Sequence, residues 1–246
     1  NNLNKEFYNE LLHILGLEED KKGGKGLIQR KENGHEGSLL ENTINILELR
    51  GRVDKIKDSD KYGTTVEEKT YNIALELCIT WLNRILFLKL LEGQLIKYNS
   101  NKDYAFLNNK KVKDYDALNE LFFEVLARQI KDRRKSVKET YNNIPYLNSS
   151  LFESTDLEDE TIQISDLKDR LELPLYINTV IKDDKGKKIT GSKLTLHYLF
   201  EFLEAFDFAT DSSKKIQEQN KTIINASVLG LIFEKLNGYK DGSYFT

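Results

Sequence analysis

The sequence has no methionine, one cysteine and two prolines in 246 residues. Cys78 alone cannot form an intrachain disulfide or a cysteine-based zinc site, so nothing points to an oxidising compartment and a cytoplasmic setting is expected. With only Pro145 and Pro174 to interrupt it, the backbone is free to form long helices. No apolar run approaches the roughly 18 residues that a membrane span needs, and no membrane partner is expected. Asn1 to Tyr8 lacks the basic stretch and following apolar stretch of a signal peptide. An excess of one charge is missing too: 37 basic residues stand against 40 acidic ones, for a formal net charge of -3. Any surface for nucleic acid must therefore come from local clustering of cations. The chain opens at Asn1 and stops at Tyr244-Phe245-Thr246 directly after a glycine turn, so a piece of a longer protein is expected.

What is present suffices for a core, with 39% hydrophobic residues recurring mostly at helical spacing. The expected fold class is mainly α, an irregular multi-helix bundle with a small β-hairpin excursion. No internal repeat is visible. A first helix is predicted near Leu3 to Leu15, with Gly16 as its left-handed cap. The glycine-lysine stretch from Lys21 to Lys31, with Gly23, Gly24 and Gly26, reads as a solvated loop; it follows no strand and lacks the Lys-Ser or Lys-Thr of a P-loop. Ser38 and Glu41 form a capping-box pattern for a helix to about Arg50. After a charged linker, Val66 to Leu91 is apolar nearly all round, which predicts a central helix ended by Gly93.

Leu118 to Leu126 predicts an amphipathic helix continuing into the basic run at 131–135. Leu173 to Ile181 and Lys187 to Leu196 flank Asp183-Asp184-Lys185-Gly186 and predict a hairpin. Leu194 to Phe208 and Ala226 to Leu236 predict the closing helices. The expected organisation is a helical region over 1–160, a hairpin and loop excursion over 161–192, and C-terminal helices over 193–246.

Several constellations could carry chemistry. Asp58 or Asp60 with Glu67, Glu68 and Lys69 has the composition of a metal-dependent nuclease, but acidic residues also favour a helix start for dipole reasons. His13, His35 and His197 have no paired spacing, so neither a metal site nor catalytic residues are expected there. Arg84, beside Asn83 in the most apolar helix, needs a partner such as Glu120 or Glu124, or else makes a functional contact. Lys131, Arg133, Arg134 and Lys135, with Lys138 nearby, form the densest basic group, able to grip DNA phosphates or simply to solvate a helix end.

Three stretches carry a family resemblance. Trp81-Leu82-Asn83-Arg84-Ile85-Leu86-Phe87-Leu88-Lys89-Leu90-Leu91-Glu92 resembles the "NRLLFLRFLE" helix of large single-chain restriction-modification enzymes. Ile144-Pro145-Tyr146-Leu147-Asn148-Ser149-Ser150-Leu151-Phe152-Glu153 resembles their "PYLNGGLFE" segment, with Ser149-Ser150 in place of the glycine pair. Val228 to Leu236, followed by Gly242-Ser243-Tyr244-Phe245-Thr246, resembles the "LGxIFEKL…GxYYTP" run that leads into their adenine-specific DNA methyltransferase domain. Order and spacing agree as well.

The resemblance implies a non-catalytic helical connector between an upstream nuclease and a downstream methyltransferase, touching double-stranded DNA weakly through its backbone. By the same resemblance, Tyr244, Phe245 and Thr246 would help to cradle S-adenosylmethionine once the next domain is present. The competing class is a helical protein-interaction scaffold with no nucleic-acid role, and a third is a free-standing metal nuclease built on Asp58, Glu67 and Lys69.

Overall fold

The computed structural model describes residues 4–20, 27–208 and 221–240. Helix α1 (Lys5–Leu15) starts where Asn4 Oδ1 accepts the Phe7 amide proton at 2.9 Å and ends at Gly16 with φ 92°. It buries Phe7, Leu11, Ile14 and Leu15, the face expected from their spacing. Strands β1 (Leu17–Asp20) and β2 (Leu27–Arg30) pair antiparallel. The predicted loop therefore gives way to a strand at its C-terminal end, which the charged, non-alternating sequence does not signal. Gly23, Gly24 and Gly26 lie outside the described residues.

Helix α2 (Leu39–Arg50) forms half of the expected capping box. Ser38 Oγ accepts from the Glu41 amide at 3.3 Å, but the Glu41 carboxylate turns away to Arg30, at 2.7 and 2.6 Å. A strand cation outcompetes the cap because it offers a two-pronged charged hydrogen bond.

Helix α3 (Val66–Asn99) is the axis of the fold, opened by a complete Thr65–Glu68 capping box. Ile73, Leu77, Trp81, Leu82, Ile85, Leu86 and Leu88 are all buried, so more than one face is covered, as the all-round apolar pattern requires. Helix α2 and residues 53–62 pack against it. The helix does not stop at Gly93; it runs on to Asn99. A Cβ built on Gly93 would sit 2.1 Å from the Phe208 carbonyl oxygen, so this glycine serves close approach rather than capping.

The helix expected to run from Leu118 into the basic residues is broken. Helix α4 (Tyr115–Glu120) passes into a π-helical turn (Leu121–Leu126), then a single 3-10 turn (Ile130–Asp132), before α5 (Lys135–Thr140) starts afresh. Helix α6 (Asp156–Glu160) follows, with its own Thr155–Glu158 capping box.

The predicted hairpin is present. Strands β3 (Glu172–Pro174) and β4 (Ser192–Leu194) pair antiparallel, a bridge joins Lys182 to Lys188, and Gly186 takes φ 77° in the turn. Helix α7 (Thr195–Glu204) is shorter than its aromatic sequence predicts, because β5 (Phe206–Phe208) leaves it to pair in parallel with β6 (Thr222–Ile224). Helix α8 (Ala226–Lys240) buries Leu229, Ile232 and Leu236 and packs on α3 and β2.

The architecture is thus mainly α with small two-stranded sheets. One core cluster runs from Phe7 to Leu236 and takes residues from all three segments of the sequence reading. At its centre the Phe7 ring meets Phe202 at 5.1 Å, Phe206 at 4.9 Å and Phe208 at 6.1 Å. Among the described residues, no helix is long and apolar enough to cross a membrane.

Candidate functional site

Two of the stretches that carry the resemblance meet at Arg84. Its side chain is 1% exposed, and its guanidinium is bonded on every nitrogen. Nε donates to the Leu151 carbonyl at 2.7 Å, Nη1 to Glu158 Oε1 at 2.5 Å, and Nη2 to Glu158 Oε2 and the Glu153 carbonyl, both at 2.8 Å. Trp81 Nε1 donates to the same Glu158 oxygen at 2.8 Å. The rings of Phe122 and Phe123, neighbours in the π turn, lie 5.5 and 5.2 Å from the guanidinium carbon. Burial alone would push the Glu158 carboxyl up, but the bonds from Arg84, Thr155 and Trp81 outweigh it and hold the group below its ordinary range.

The partner differs from the expected Glu120 or Glu124. Those two carboxylates instead face Arg134, at 2.8 and 3.8 Å, and Glu124 also meets Arg128 at 2.9 Å. Glu158 is aimed inward because the same carboxylate caps α6, accepting from the Thr155 amide at 2.9 Å. The Thr155-Asp156-Leu157-Glu158 pattern was the available signal. Glu92, the last residue of the first stretch, is also spent on structure, accepting from Lys89 Nζ at 2.5 Å and from the Phe106 and Leu107 amides at 2.7 and 2.6 Å. The helical part of the third stretch, Val228 to Leu236, lies on α8, which packs on the same α3.

Two carboxylates of the nuclease alternative, Asp60 and Glu68, have other occupations. Lys69 Nζ lies 3.3 Å from Asp54, 3.1 Å from Asp60 and 3.3 Å from Ser59 Oγ, pinning the charged linker to α3. Glu68 accepts from the Thr64 and Thr65 amides at 2.8 and 3.2 Å, and these bonds hold its carboxyl low. Asp58 takes a left-handed turn position, φ 55°. Among the described residues, no three of His, Cys, Asp and Glu are grouped to hold a metal ion.

The histidines make local bonds. His13 Nε2 lies 2.7 Å from the Pro174 carbonyl and its Nδ1 2.7 Å from Lys31 Nζ; burial and that ammonium hold its pKa down. His35 Nδ1 accepts from the Gly37 amide, and His197 Nε2 lies 3.0 Å from the Lys113 carbonyl.

The basic run needs a correction. Arg133, expected on the surface, is 3% exposed. Its guanidinium donates to the carbonyls of Arg128 at 3.2 Å, Tyr141 at 3.3 Å and Ile144 at 2.7 Å, so it closes the loop rather than facing solvent. The helix break at 127–129 is what turns it inward. Arg134 is exposed but paired with Glu120 and Glu124, which leaves Lys131 and Lys135 as the exposed cations without an ion pair to a described residue. Tyr244, Phe245 and Thr246 lie outside the described residues.

The chain is similar to a Methanocaldococcus jannaschii protein named "Putative type II restriction enzyme and methyltransferase", at 28% identity over 186 residues. That match covers 70% of this chain but only 13% of the relative's length. No solved structure matches it. Residues 1–224 match the family described as "Domain of unknown function (DUF7814)", and over that span, which holds the α3 axis and the Arg84 junction, the chain belongs to that family.

Proposed function

We propose that the chain acts as the helical connector of a restriction-modification protein, contacting duplex DNA through phosphates and standing ahead of an S-adenosylmethionine-dependent adenine methyltransferase domain. The observation that carries this reading is the extent of the match: most of this chain is similar to a small part of a much longer protein named for restriction and methylation. The geometry supports a connector because Arg84 is bonded to Glu158 and to the Leu151 and Glu153 carbonyls, and Glu92 to the Phe106 and Leu107 amides, so their charges fix helix positions. A spacer between two DNA-acting domains needs that rigidity to hold them at a set distance. Tyr244, Phe245 and Thr246 would then enter the cofactor pocket of the following domain, and an adjoining nuclease would precede the chain.

The chain, incubated with duplex DNA, magnesium and labelled S-adenosylmethionine, is expected to transfer no methyl group and cut no strand. The reading frame that contains it is expected to continue past Thr246 with a proline and, farther on, an Asn-Pro-Pro-Tyr motif. Methyl transfer by the chain alone, or a continuation lacking that motif, would sink the connector reading.

A further inference from the structure

In sequence, residues 52–61 look nearly neutral, with Arg52, Lys55, Lys57 and Lys61 set against Asp54, Asp58 and Asp60. The fold sorts these charges. Val53, Ile56 and Tyr62 turn inward and are buried, which anchors two short 3-10 turns and fixes the direction of what lies between them. Asp54 and Asp60 are drawn to Lys69 at 3.3 and 3.1 Å. The Lys61 ammonium lies 4.9 Å from the Tyr62 ring centre. The remaining cations, Arg52, Lys55 and Lys57, are exposed, form no ion pair with a described residue, and together line an open concavity of about 550 Å³ with Ile56 and Glu160. The Glu160 carboxylate is anchored there by the Lys57 amide, which donates to Oε2 at 2.8 Å.

We infer that this concavity, lined by Arg52, Lys55 and Lys57, binds the phosphate backbone of duplex DNA. The inference rests on the connector reading and names the face through which DNA is met. Three cations against one carboxylate give the lining a net positive charge. The loop backbone is held at both ends, so the cations are presented without the ordering cost of a mobile tail. The run at 131–135 is weaker by comparison, since Arg133 is buried and Arg134 is already paired. Nothing in the lining resembles a base-reading element, so the contact is indifferent to sequence.

The test is fluorescence anisotropy of the full chain with a random-sequence duplex over a salt series. Each phosphate contact contributes about -0.9 to the slope of log affinity against log salt, so the R52A/K55A/K57A variant should flatten the slope by up to about 2.7. The K131A/K135A variant can flatten it by at most about 1.8 on the same counting. Because the three residues are exposed, the triple variant should melt with the wild type. E160Q keeps an acceptor for the Lys57 amide while removing the negative charge, and should bind duplex more tightly at low salt, an effect that lost folding cannot imitate.

A wild-type slope in the triple variant, with duplex binding intact, overturns the assignment of this face and leaves the connector reading standing. Absence of duplex binding by the wild type at low salt overturns both. Displacement by polyglutamate as readily as by unlabelled duplex would make the concavity a surface for acidic protein and overturn it as well.

Discussion

Replacing Arg84 by alanine is expected to cost about 3–5 kcal/mol, because it strands a buried carboxylate rather than merely deleting a contact. Glu158 has no exposed side-chain surface, and in R84A it would keep only the Trp81 and Thr155 donors. For a chain of this size such a loss lowers the melting temperature by roughly 10 °C. Removing both charges should hurt less than removing one. R84M/E158L replaces the pair with apolar groups of similar bulk, and the desolvation penalty vanishes with the attraction. Some loss remains in the double variant, because Glu158 also caps α6.

The pH dependence separates this account from simple loss of packing. In the wild type the Glu158 carboxyl is held low, so its contribution is present above the ordinary carboxylate range and is lost as pH falls through the depressed folded value. Without Arg84, burial becomes the dominant influence and the folded value rises above the unfolded one. Proton uptake then favours the folded variant as pH falls. The deficit of R84A relative to wild type should therefore be largest near about pH 7 and shrink toward about pH 5. Chemical denaturation at both pH values measures it, and a constant deficit would mean that Glu158 is not the stranded group.

The Arg84 junction also shows where sequence reading stops. That Arg84 needed a partner was legible, since a charge inside an apolar stripe demands one. Which carboxylate answers was not, because Glu120 and Glu124 seemed equally placed and the chosen residue lies 74 positions away, aimed by a cap in another helix. Elements set by neighbours a few residues apart were readable: Gly16 ending α1, Ser38 starting α2, and the Asp183 to Gly186 turn between β3 and β4. Pairing across distance was not. Phe206-Asp207-Phe208 continues a helical aromatic pattern and becomes a strand only because Thr222–Ile224 comes back beside it.

Arg133 fails for the same reason from the other side. A cation among cations gives no local sign that three backbone carbonyls from residues 128, 141 and 144 will enclose it. The basic concavity was hidden by the reverse effect, since its linker is nearly neutral in sequence, and its lining is net positive because Lys69 draws Asp54 and Asp60 to itself and Asp58 lies outside it.

Gly93 offers the sharpest test of long-range packing, because local and tertiary effects have opposite signs there. Alanine should strengthen the helix by about 1 kcal/mol, the usual difference between the two residues in a helix interior. Against that, the new Cβ would lie 2.1 Å from the Phe208 carbonyl oxygen, and a strand backbone paired with β6 cannot swing aside as a side chain could. Overpacking of this kind costs about 1–3 kcal/mol, and a backbone clash belongs at the upper end. G93A is therefore expected to lose about 2 kcal/mol net, with hydrogen exchange rising first in Phe206–Phe208 and Thr222–Ile224, the two strands displaced from α3. Gly230 supplies the control. It is an exposed position of α8 with nothing within 4 Å of a built Cβ, so G230A should gain about 1 kcal/mol from propensity alone. Equal gains in both variants, measured by urea denaturation, would show that α3 and β5 do not approach as closely as Gly93 implies.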